Sequence, residues 1–236
     1  MTEPLVLLPD MMCDDRLFAP QIRALAPDRA IMIAPFGAAE RVEDIAASLI
    51  DQLPQRFALL GHSMGGFVAM ELMNRIPARV TRLCLIATNP LPETPAFAAT
   101  REPMIIGAQA GRLEEIMREM LPPDYLAPGP ARTEITNLLI DMARDLGPDI
   151  FVSQSRALQR RPDQQSTLRK CTVPTRIICG ELDPMTPARR LDFMVRLIRD
   201  ATLTVIDGAG HMPMLEQPES TTQAIRDWLA QPLVLR

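Results

Sequence analysis

Short apolar runs alternate with longer segments of helical periodicity along most of this chain. The short runs are apolar almost throughout instead of at every second residue, which is typical of strands that are covered on both faces. We predict strands at six of these runs: Leu5–Leu8, Ala30–Ala34, Phe57–Leu60, Leu83–Ala87, Arg176–Cys179 and Leu203–Ile206. Strands that alternate with helices favour a parallel sheet with helices on both faces.

The segments between these strands carry the pattern of helices that pack on a sheet. We predict helices at Asp14–Leu25, Val42–Leu53, Ser63–Ile76, Pro187–Arg199 and Pro218–Ala230. Proline begins the last two, and it suits the first helical turn because the N–H that it lacks has no helical partner there. The pattern therefore predicts an α/β fold with a mostly parallel sheet of about six strands.

The alternation stops between Pro90 and Lys170, where no strand pattern is found. Helical patterns occur instead, at Arg101–Ala110, Leu113–Met120, Ile135–Leu146 and Ile150–Gln159. Proline and glycine separate them, as expected for turns between short helices. With 236 residues, one domain is expected. We predict a core formed by residues 1–89 and 170–236 and a helical lid formed by residues 90–169.

Charge and hydropathy argue against nucleic-acid and membrane partners. The net charge is −4 and no basic stripe is present, which disfavours nucleic acid. No window approaches the roughly 18 uninterrupted apolar residues of a membrane helix, and the first residues lack the pattern of a signal peptide. We expect a cytoplasmic protein, and the oligomeric state is left open.

Metals and cofactors also have few candidate residues. The cysteines form no CxxC pair and no metal-ligand spacing; they are Cys13, Cys84, Cys171 and Cys179. Lys170 is the only lysine, so no P-loop is possible and a Schiff base would have to form there. We expect neither a metal nor a cofactor.

The segment after the third predicted strand carries the strongest chemical signal. Phe57–Leu60 leads into Gly61-His62-Ser63-Met64-Gly65, and a helical pattern follows at once. A G-x-S-x-G sequence between a strand and a helix is typical of a nucleophile elbow, which exposes a serine at a tight turn. The two glycines avoid the Cβ atoms that would collide there. Ser63 is the predicted nucleophile.

A serine nucleophile needs a base, and the chain has two histidines. His62 adjoins Ser63, so its side chain should leave the elbow in another direction, whereas His211 lies on a small-residue loop after the last predicted strand. We predict His211 as the general base and Asp183, after the fifth strand, as the acid that orients it. Glu181 and Asp207 are the alternatives for the acid. The order Ser, Asp, His is the one expected on an α/β-hydrolase sheet.

These motifs together resemble the α/β-hydrolase superfamily, above all small bacterial carboxylesterases and enol-lactone hydrolases with a helical lid. The resemblance is carried by Gly61-His62-Ser63-Met64-Gly65-Gly66, by Gly180-Glu181-Leu182-Asp183-Pro184-Met185-Thr186-Pro187 and by Gly208-Ala209-Gly210-His211. It covers the chain except the lid. We expect no counterpart of the antiparallel hairpin that opens the family's sheet, because the first strand pattern begins at Leu5.

The resemblance implies an oxyanion hole formed by two backbone N–H groups, those of Met64 and Met11. Relatives usually have His-Gly where this chain has Pro9-Asp10. A carboxylate beside an oxyanion hole would oppose the negative charge that the hole stabilises. We therefore expect the Asp10 side chain to point away or to bind backbone N–H groups within its loop.

Methionines follow the catalytic positions closely, and they predict an apolar, adaptable substrate pocket. Its candidate residues are Met12, Met185 and Met212. The leading hypothesis is hydrolysis of a small, largely apolar carboxylic ester through an acyl-enzyme. A lactone hydrolase or C–C bond hydrolase with the same triad is the alternative, and one of the lid arginines would then bind a substrate carboxylate. A ligand-binding protein that kept the fold without turnover is a third hypothesis.

Overall fold

The fold is built on one six-stranded sheet in which every neighbouring pair of strands is parallel. The computed structural model describes residues 2–34 and 36–232, apart from the side chain of Arg190. The strands are β1 (Leu5–Leu8), β2 (Ile31–Ile33), β3 (Phe57–His62), β4 (Val80–Ile86), β5 (Thr175–Gly180) and β6 (Ala201–Ile206). Their order across the sheet is β2-β1-β3-β4-β5-β6. The predicted strands and their parallel arrangement are confirmed.

Helices connect these strands on both faces of the sheet. They are α1 (Ala19–Leu25), α2 (Val42–Leu49), α3 (Met64–Arg75), α4 (Pro95–Gln109), α5 (Leu113–Met120), α6 (Arg132–Gln159), α7 (Gln165–Lys170), α8 (Ala188–Leu197), α9 (Pro213–Glu216) and α10 (Pro218–Leu229). A short 3-10 helix, Asp15–Phe18, precedes α1. The prediction treated Asp14–Leu25 as one helix, and it missed α7 and α9, which are too short to show a helical period.

Two apolar clusters form the core, one on each face of the sheet. Val6 and Leu8 belong to one cluster, while Leu5 and Leu7 belong to the other, because successive side chains of a strand point to opposite faces. The outermost strands depart from the prediction of complete burial. All residues of β2 are only partly buried, and Val205 in β6 is 38% exposed, since an outer strand has a neighbouring strand on one side only.

The segment predicted as a lid contains α4, α5 and α6. The helix α6 spans two predicted helices, but Gly147 within it has non-helical backbone angles (φ 82°, ψ 171°). The next residue, Pro148, has no N–H to continue the helical ladder. The interruption falls between the two helices predicted at Ile135–Leu146 and Ile150–Gln159. Whether residues 90–169 act as a lid stays a prediction, as do the domain boundaries.

Parallel strands bring the loops at their carboxyl ends to one edge of the sheet. The loops that follow β1, β3, β5 and β6 carry Asp10, Ser63, Asp183 and His211. Residues that are far apart in sequence can therefore form one site at this edge. Within the described part of the chain, none of the helices has both the length and the apolar character needed to span a membrane.

Candidate active site

Ser63 occupies a strained turn between β3 and α3. Its backbone angles are φ 47° and ψ −108°, a region that residues with a Cβ rarely adopt. The turn is tight: a Cβ on Gly65 would lie 2.1 Å from the carbonyl oxygen of Leu8, and one on Gly61 would lie 2.3 Å from the carbonyl oxygen of Gly65. Both glycines are therefore required by the close approach of the backbone, as the elbow motif predicted.

His211 and Asp183 form a buried hydrogen-bonded pair. Nδ1 of His211 lies 2.8 Å from Oδ2 of Asp183, and both side chains are almost wholly inaccessible to solvent. Asp183 is held in turn by the backbone N–H groups of Met185 and Thr186, at 2.8 and 3.2 Å from Oδ1, and by the hydroxyl of Thr186. The carboxylate thus has a fixed position from which it orients one imidazole.

The pair perturbs the pKa of both partners. Burial alone would raise the pKa of Asp183, but the charge and hydrogen bond of His211, the Thr186 hydroxyl and the Met185 N–H lower it to about 2. Burial alone would lower the pKa of His211, but Asp183 and, to a smaller extent, Asp10 and Glu216 raise it above its usual value. Asp183 therefore stays ionised and favours an imidazolium at His211.

Hydrogen-bond partners fix the tautomers of the two histidines. Since Asp183 is an acceptor, Nδ1 of His211 carries the proton of the neutral ring, in which Nε2 keeps a free electron pair. His62 donates through Nε2 to the backbone carbonyl of His211, at 2.8 Å, and burial lowers its pKa to about 4. This contact agrees with the prediction that the His62 side chain leaves the elbow in another direction than Ser63, and it ties the elbow to the loop of His211.

The loop after β1, residues 9–12, is called the oxyanion loop here, and one of its own side chains binds the proposed oxyanion donors. The backbone N–H groups of Met11 and Met64 both donate to one oxygen, Oδ1 of Asp10, at 2.7 and 3.1 Å. These are the two donors that the family resemblance implies for an oxyanion hole. The distances from these two N–H groups to Oδ1 of Asp10 are those expected between oxyanion-hole donors and an oxyanion. Asp10 binds backbone N–H groups, as expected, but one of them, that of Met64, belongs to the elbow and not to its own loop.

The methionines predicted to line one pocket lie in different surroundings. Met12 is fully buried in one core cluster, Met212 lies in the cluster on the other face of the sheet, and Met185 is 46% exposed. Met12 also has a positive φ of 56°, and its backbone N–H donates to the side-chain oxygen of Gln154 at 2.8 Å. A shared apolar pocket of these three side chains stays a prediction.

Three residues near the site had not been singled out in the sequence. Oε2 of Glu216 accepts hydrogen bonds from Gly210 and Ala127, and Oε1 accepts one from Met212, so this carboxylate fixes the loop of His211. The ring of Tyr125 lies 5.0 Å from that of His211 between centroids. Gln154, on α6, binds the oxyanion loop. Nothing in the local pattern distinguishes these residues, because each makes at least one of these contacts with a segment that is distant in sequence.

The arginines predicted to offer a carboxylate clamp already have acidic partners. Arg101 and Arg161 share Glu93. The others are Arg112 with Glu115, Arg118 with Glu114, Arg156 with Glu102 and Arg160 with Glu40. Glu181, the alternative to Asp183, accepts a hydrogen bond from the backbone of Gly208 instead of contacting His211. These contacts leave Asp183 as the acid paired with His211.

The parallel sheet with helices on both faces and the serine elbow after β3 define an α/β-hydrolase fold. A family model described as "Alpha/beta hydrolase family" matches residues 6–224, and the chain belongs to this family. The fold class and the family resemblance predicted from the sequence are confirmed.

Individual relatives and solved structures agree with this membership. The chain is 28% identical over 230 residues to a pimeloyl-[acyl-carrier protein] methyl ester esterase of Neisseria meningitidis, covering 92% of this chain and 88% of that protein. A thermophilic esterase from Thermogutta terrifontis is similar in structure, with a TM-score of 0.87, 26% identity and coverage of 96% of this chain and 89% of that one. The enol-lactonase from Burkholderia xenovorans LB400 has a TM-score of 0.85 at 20% identity, with coverage of 98% and 92%, and shows the same fold.

Proposed function

We propose that this protein is a serine hydrolase that cleaves a carboxylic ester of a small, largely apolar substrate through an acyl-enzyme. One observation supports the proposal above the others. His211, oriented by Asp183 at 2.8 Å, has a free Nε2 at the sheet edge where the strained elbow presents Ser63. A histidine whose one nitrogen is held by a carboxylate and whose other nitrogen is free is the arrangement that a general base needs.

In the proposed reaction, Oγ of Ser63 attacks the ester carbonyl carbon while Nε2 of His211 takes the hydroxyl proton. The carbonyl oxygen becomes an oxyanion, which the N–H groups of Met64 and Met11 stabilise. The tetrahedral intermediate then collapses, and His211 returns the proton to the leaving alkoxide. Water, deprotonated by the same histidine, hydrolyses the acyl-enzyme to a carboxylic acid and restores Ser63.

The oxyanion step requires Asp10 to give up its hydrogen bonds. Its Oδ1 accepts the hydrogen bonds of both N–H groups. The substrate carbonyl oxygen must therefore displace this carboxylate before the intermediate forms. Each donor is worth on the order of 3 kcal/mol to a transition state of this kind. We propose that rotation of the Asp10 side chain frees the hole when substrate binds.

The choice of an ester is supported by the relatives. The proteins of Neisseria meningitidis and of Legionella pneumophila that resemble this chain are described as methyl ester esterases, and a similar structure is that of an esterase. We also propose that residues 90–169 cover the site, because the carbonyl oxygen of Tyr125 accepts a hydrogen bond from the N–H of His211 at 3.0 Å.

Location in the cytoplasm stays a prediction.

The test is a panel of p-nitrophenyl esters of increasing acyl length, assayed beside an enol-lactone and a vinylogous diketone. We expect hydrolysis of short esters with a burst of p-nitrophenol, and a decrease in kcat/KM of about 10⁴-fold or more in Ser63→Ala. A preference of several hundredfold for the lactone or the diketone would contradict the ester assignment and favour the alternative substrates. Folded protein without turnover of any member would contradict hydrolase function.

A further inference from the structure

Three buried side chains converge beside the oxyanion loop: Asp10, His62 and His211. Each offers one ligand atom, and these atoms all lie within 4.8 Å of one another. The distance between Oδ2 of Asp10 and Nε2 of His211 is 3.9 Å. Their solvent exposures are 6%, 0% and 1%, so the group is enclosed by protein.

With both rings neutral, each histidine of this group uses its single N–H on another partner. His62 uses its N–H at Nε2 to reach the carbonyl of His211, and His211 uses its N–H at Nδ1 to reach Asp183. The remaining nitrogens, Nδ1 of His62 and Nε2 of His211, are buried and have no hydrogen-bond partner among the described residues. Each neutral histidine therefore keeps one buried electron pair that no described residue satisfies.

Three electron-pair donors in one enclosure call for a positive centre. A buried acceptor without a partner costs about 1–3 kcal/mol, and one water molecule has only two O–H groups for three acceptors. A cation that accepts all three electron pairs satisfies the whole group. We propose that Asp10, His62 and His211 form a binding site for a divalent transition-metal ion, of which Zn²⁺ is the representative.

The ligand types select the class of metal. Two neutral imidazoles and one carboxylate suit zinc and neighbouring transition metals, whereas Mg²⁺ and Ca²⁺ prefer oxygen ligands. Bonds of about 2.0–2.2 Å to zinc place its ligands roughly 3–4 Å apart. The distance of 3.9 Å between Oδ2 of Asp10 and Nε2 of His211 already falls in this range, and the ligand atom of His62 lies within 4.8 Å of both. A sequence search for metal spacings misses this set because its members come from three separate stretches of the chain, the loop after β1, the end of β3 and the loop after β6.

Metal binding at this site inhibits the proposed hydrolase reversibly. The ion occupies Nε2 of His211, the electron pair that would deprotonate Ser63, and it holds Asp10 where Oδ1 occupies the oxyanion donors. The binding site itself does not depend on the proposed function, since the ligand atoms converge whether or not the enzyme acts on esters.

Equilibrium dialysis of the untagged protein against Zn²⁺ and, separately, Mg²⁺ tests the site. We expect one Zn²⁺ per chain and no Mg²⁺. In His62→Gln, an amide N–H can still reach the His211 carbonyl but the second ring nitrogen is lost, so Zn²⁺ affinity should decrease at least tenfold. Cys13→Ser is the matched control, because Cys13 is a buried thiol close to Asp10; its Zn²⁺ affinity should be unchanged.

A second measurement on the wild-type protein needs no variant. His62 and His211 are the two histidines of the chain, so Zn²⁺ should shift the side-chain nitrogen signals of both in a long-range ¹H–¹⁵N spectrum. Absence of stoichiometric Zn²⁺ binding, unshifted histidine signals, or loss of binding in Cys13→Ser alone would overturn the proposal. Ester hydrolysis is assayed in EDTA, so that failure of the hydrolase assignment is seen separately from failure of the metal site.

Discussion

The two halves of the candidate active site differ in how ready they are for catalysis. On the side of the base, Asp183 already holds His211 at 2.8 Å with Nε2 free. On the oxyanion side, the two donors already converge, but on the carboxylate of Asp10. In the proposed mechanism the base is therefore preorganised, whereas the two proposed oxyanion donors are occupied by the chain's own carboxylate. Substrate binding has to supply the energy to displace that anion, and this step distinguishes the two halves.

The occupant of the hole also acts on the base. Oδ2 of Asp10 lies 3.9 Å from Nε2 of His211, and its charge is one of the causes that raise the pKa of this histidine. A protonated His211 would attract Asp10 and hold it in the hole. Proton binding at the base and occupation of the oxyanion hole thus support each other in the resting enzyme.

Removing the partner of the base gives the largest expected effect. Asp183→Asn keeps the size of the side chain but lets His211 adopt the wrong tautomer, so kcat for a p-nitrophenyl ester should decrease about 10³–10⁴-fold. The measurement is steady-state kinetics in EDTA. Glu181→Gln is the matched control two residues away, and its kcat should stay within about twofold of wild type, because the Glu181 carboxylate accepts a hydrogen bond from the backbone N–H of Gly208, which the amide oxygen of Gln can also accept. Equal losses in the two variants would contradict the assignment of Asp183.

Emptying the oxyanion hole gives an effect in the opposite direction. Asp10→Gly removes the carboxylate that competes with the substrate oxygen, and kcat/KM for short esters should increase about tenfold, which corresponds to about 1.4 kcal/mol. The same kinetic assay measures it, with circular dichroism to confirm folding. Asp10→Asn, which keeps a neutral acceptor, should fall between Asp10→Gly and wild type. A decrease in kcat/KM for both variants would show that the carboxylate takes part in catalysis instead of opposing it.

The pH profile gives the smallest effect, and it tests the coupling between the two halves. The base works when His211 is neutral, and its pKa is raised above the usual value, so kcat/KM should fall as the pH decreases through that raised pKa. Groups that act on His211 from the neighbouring loops are Asp183, Asp10 and Glu216. Because Asp10 contributes to the increase, Asp10→Asn should move the midpoint to lower pH. A midpoint that does not move, measured in EDTA, would contradict the coupling.

Local sequence patterns predicted the sheet and the elbow well. The strands are apolar almost throughout and the G-x-S-x-G motif is continuous in sequence. A short stretch of sequence is therefore enough to predict each of them. Short helices such as α9 (Pro213–Glu216) were missed because four residues cannot display a helical period. The edge strands were expected to be buried, since composition does not reveal which strand lies at the end of a sheet.

Features that depend on contacts between distant loops could not be predicted. The sequence showed that Asp10 departs from the pattern of relatives. It did not show that the Asp10 carboxylate accepts a hydrogen bond from the N–H of Met64, 54 positions away. Glu216 accepts hydrogen bonds from two backbone N–H groups of the His211 loop and joins that loop to the N–H of Ala127, 89 positions away, and no motif marks it. Such roles depend on the folded structure and cannot be predicted from the sequence, because every residue except proline has the same backbone N–H.

Covalent labelling of Ser63 tests the central claim most directly. The wild-type protein is treated with a fluorophosphonate in EDTA and analysed by intact mass spectrometry, and the modified peptide is then identified. The account predicts one phosphonyl group per chain, located on Ser63, with no labelling of Ser63→Ala and strongly slowed labelling of Asp183→Asn. Folded wild-type protein that stays unmodified, or a label that persists in Ser63→Ala, would contradict it.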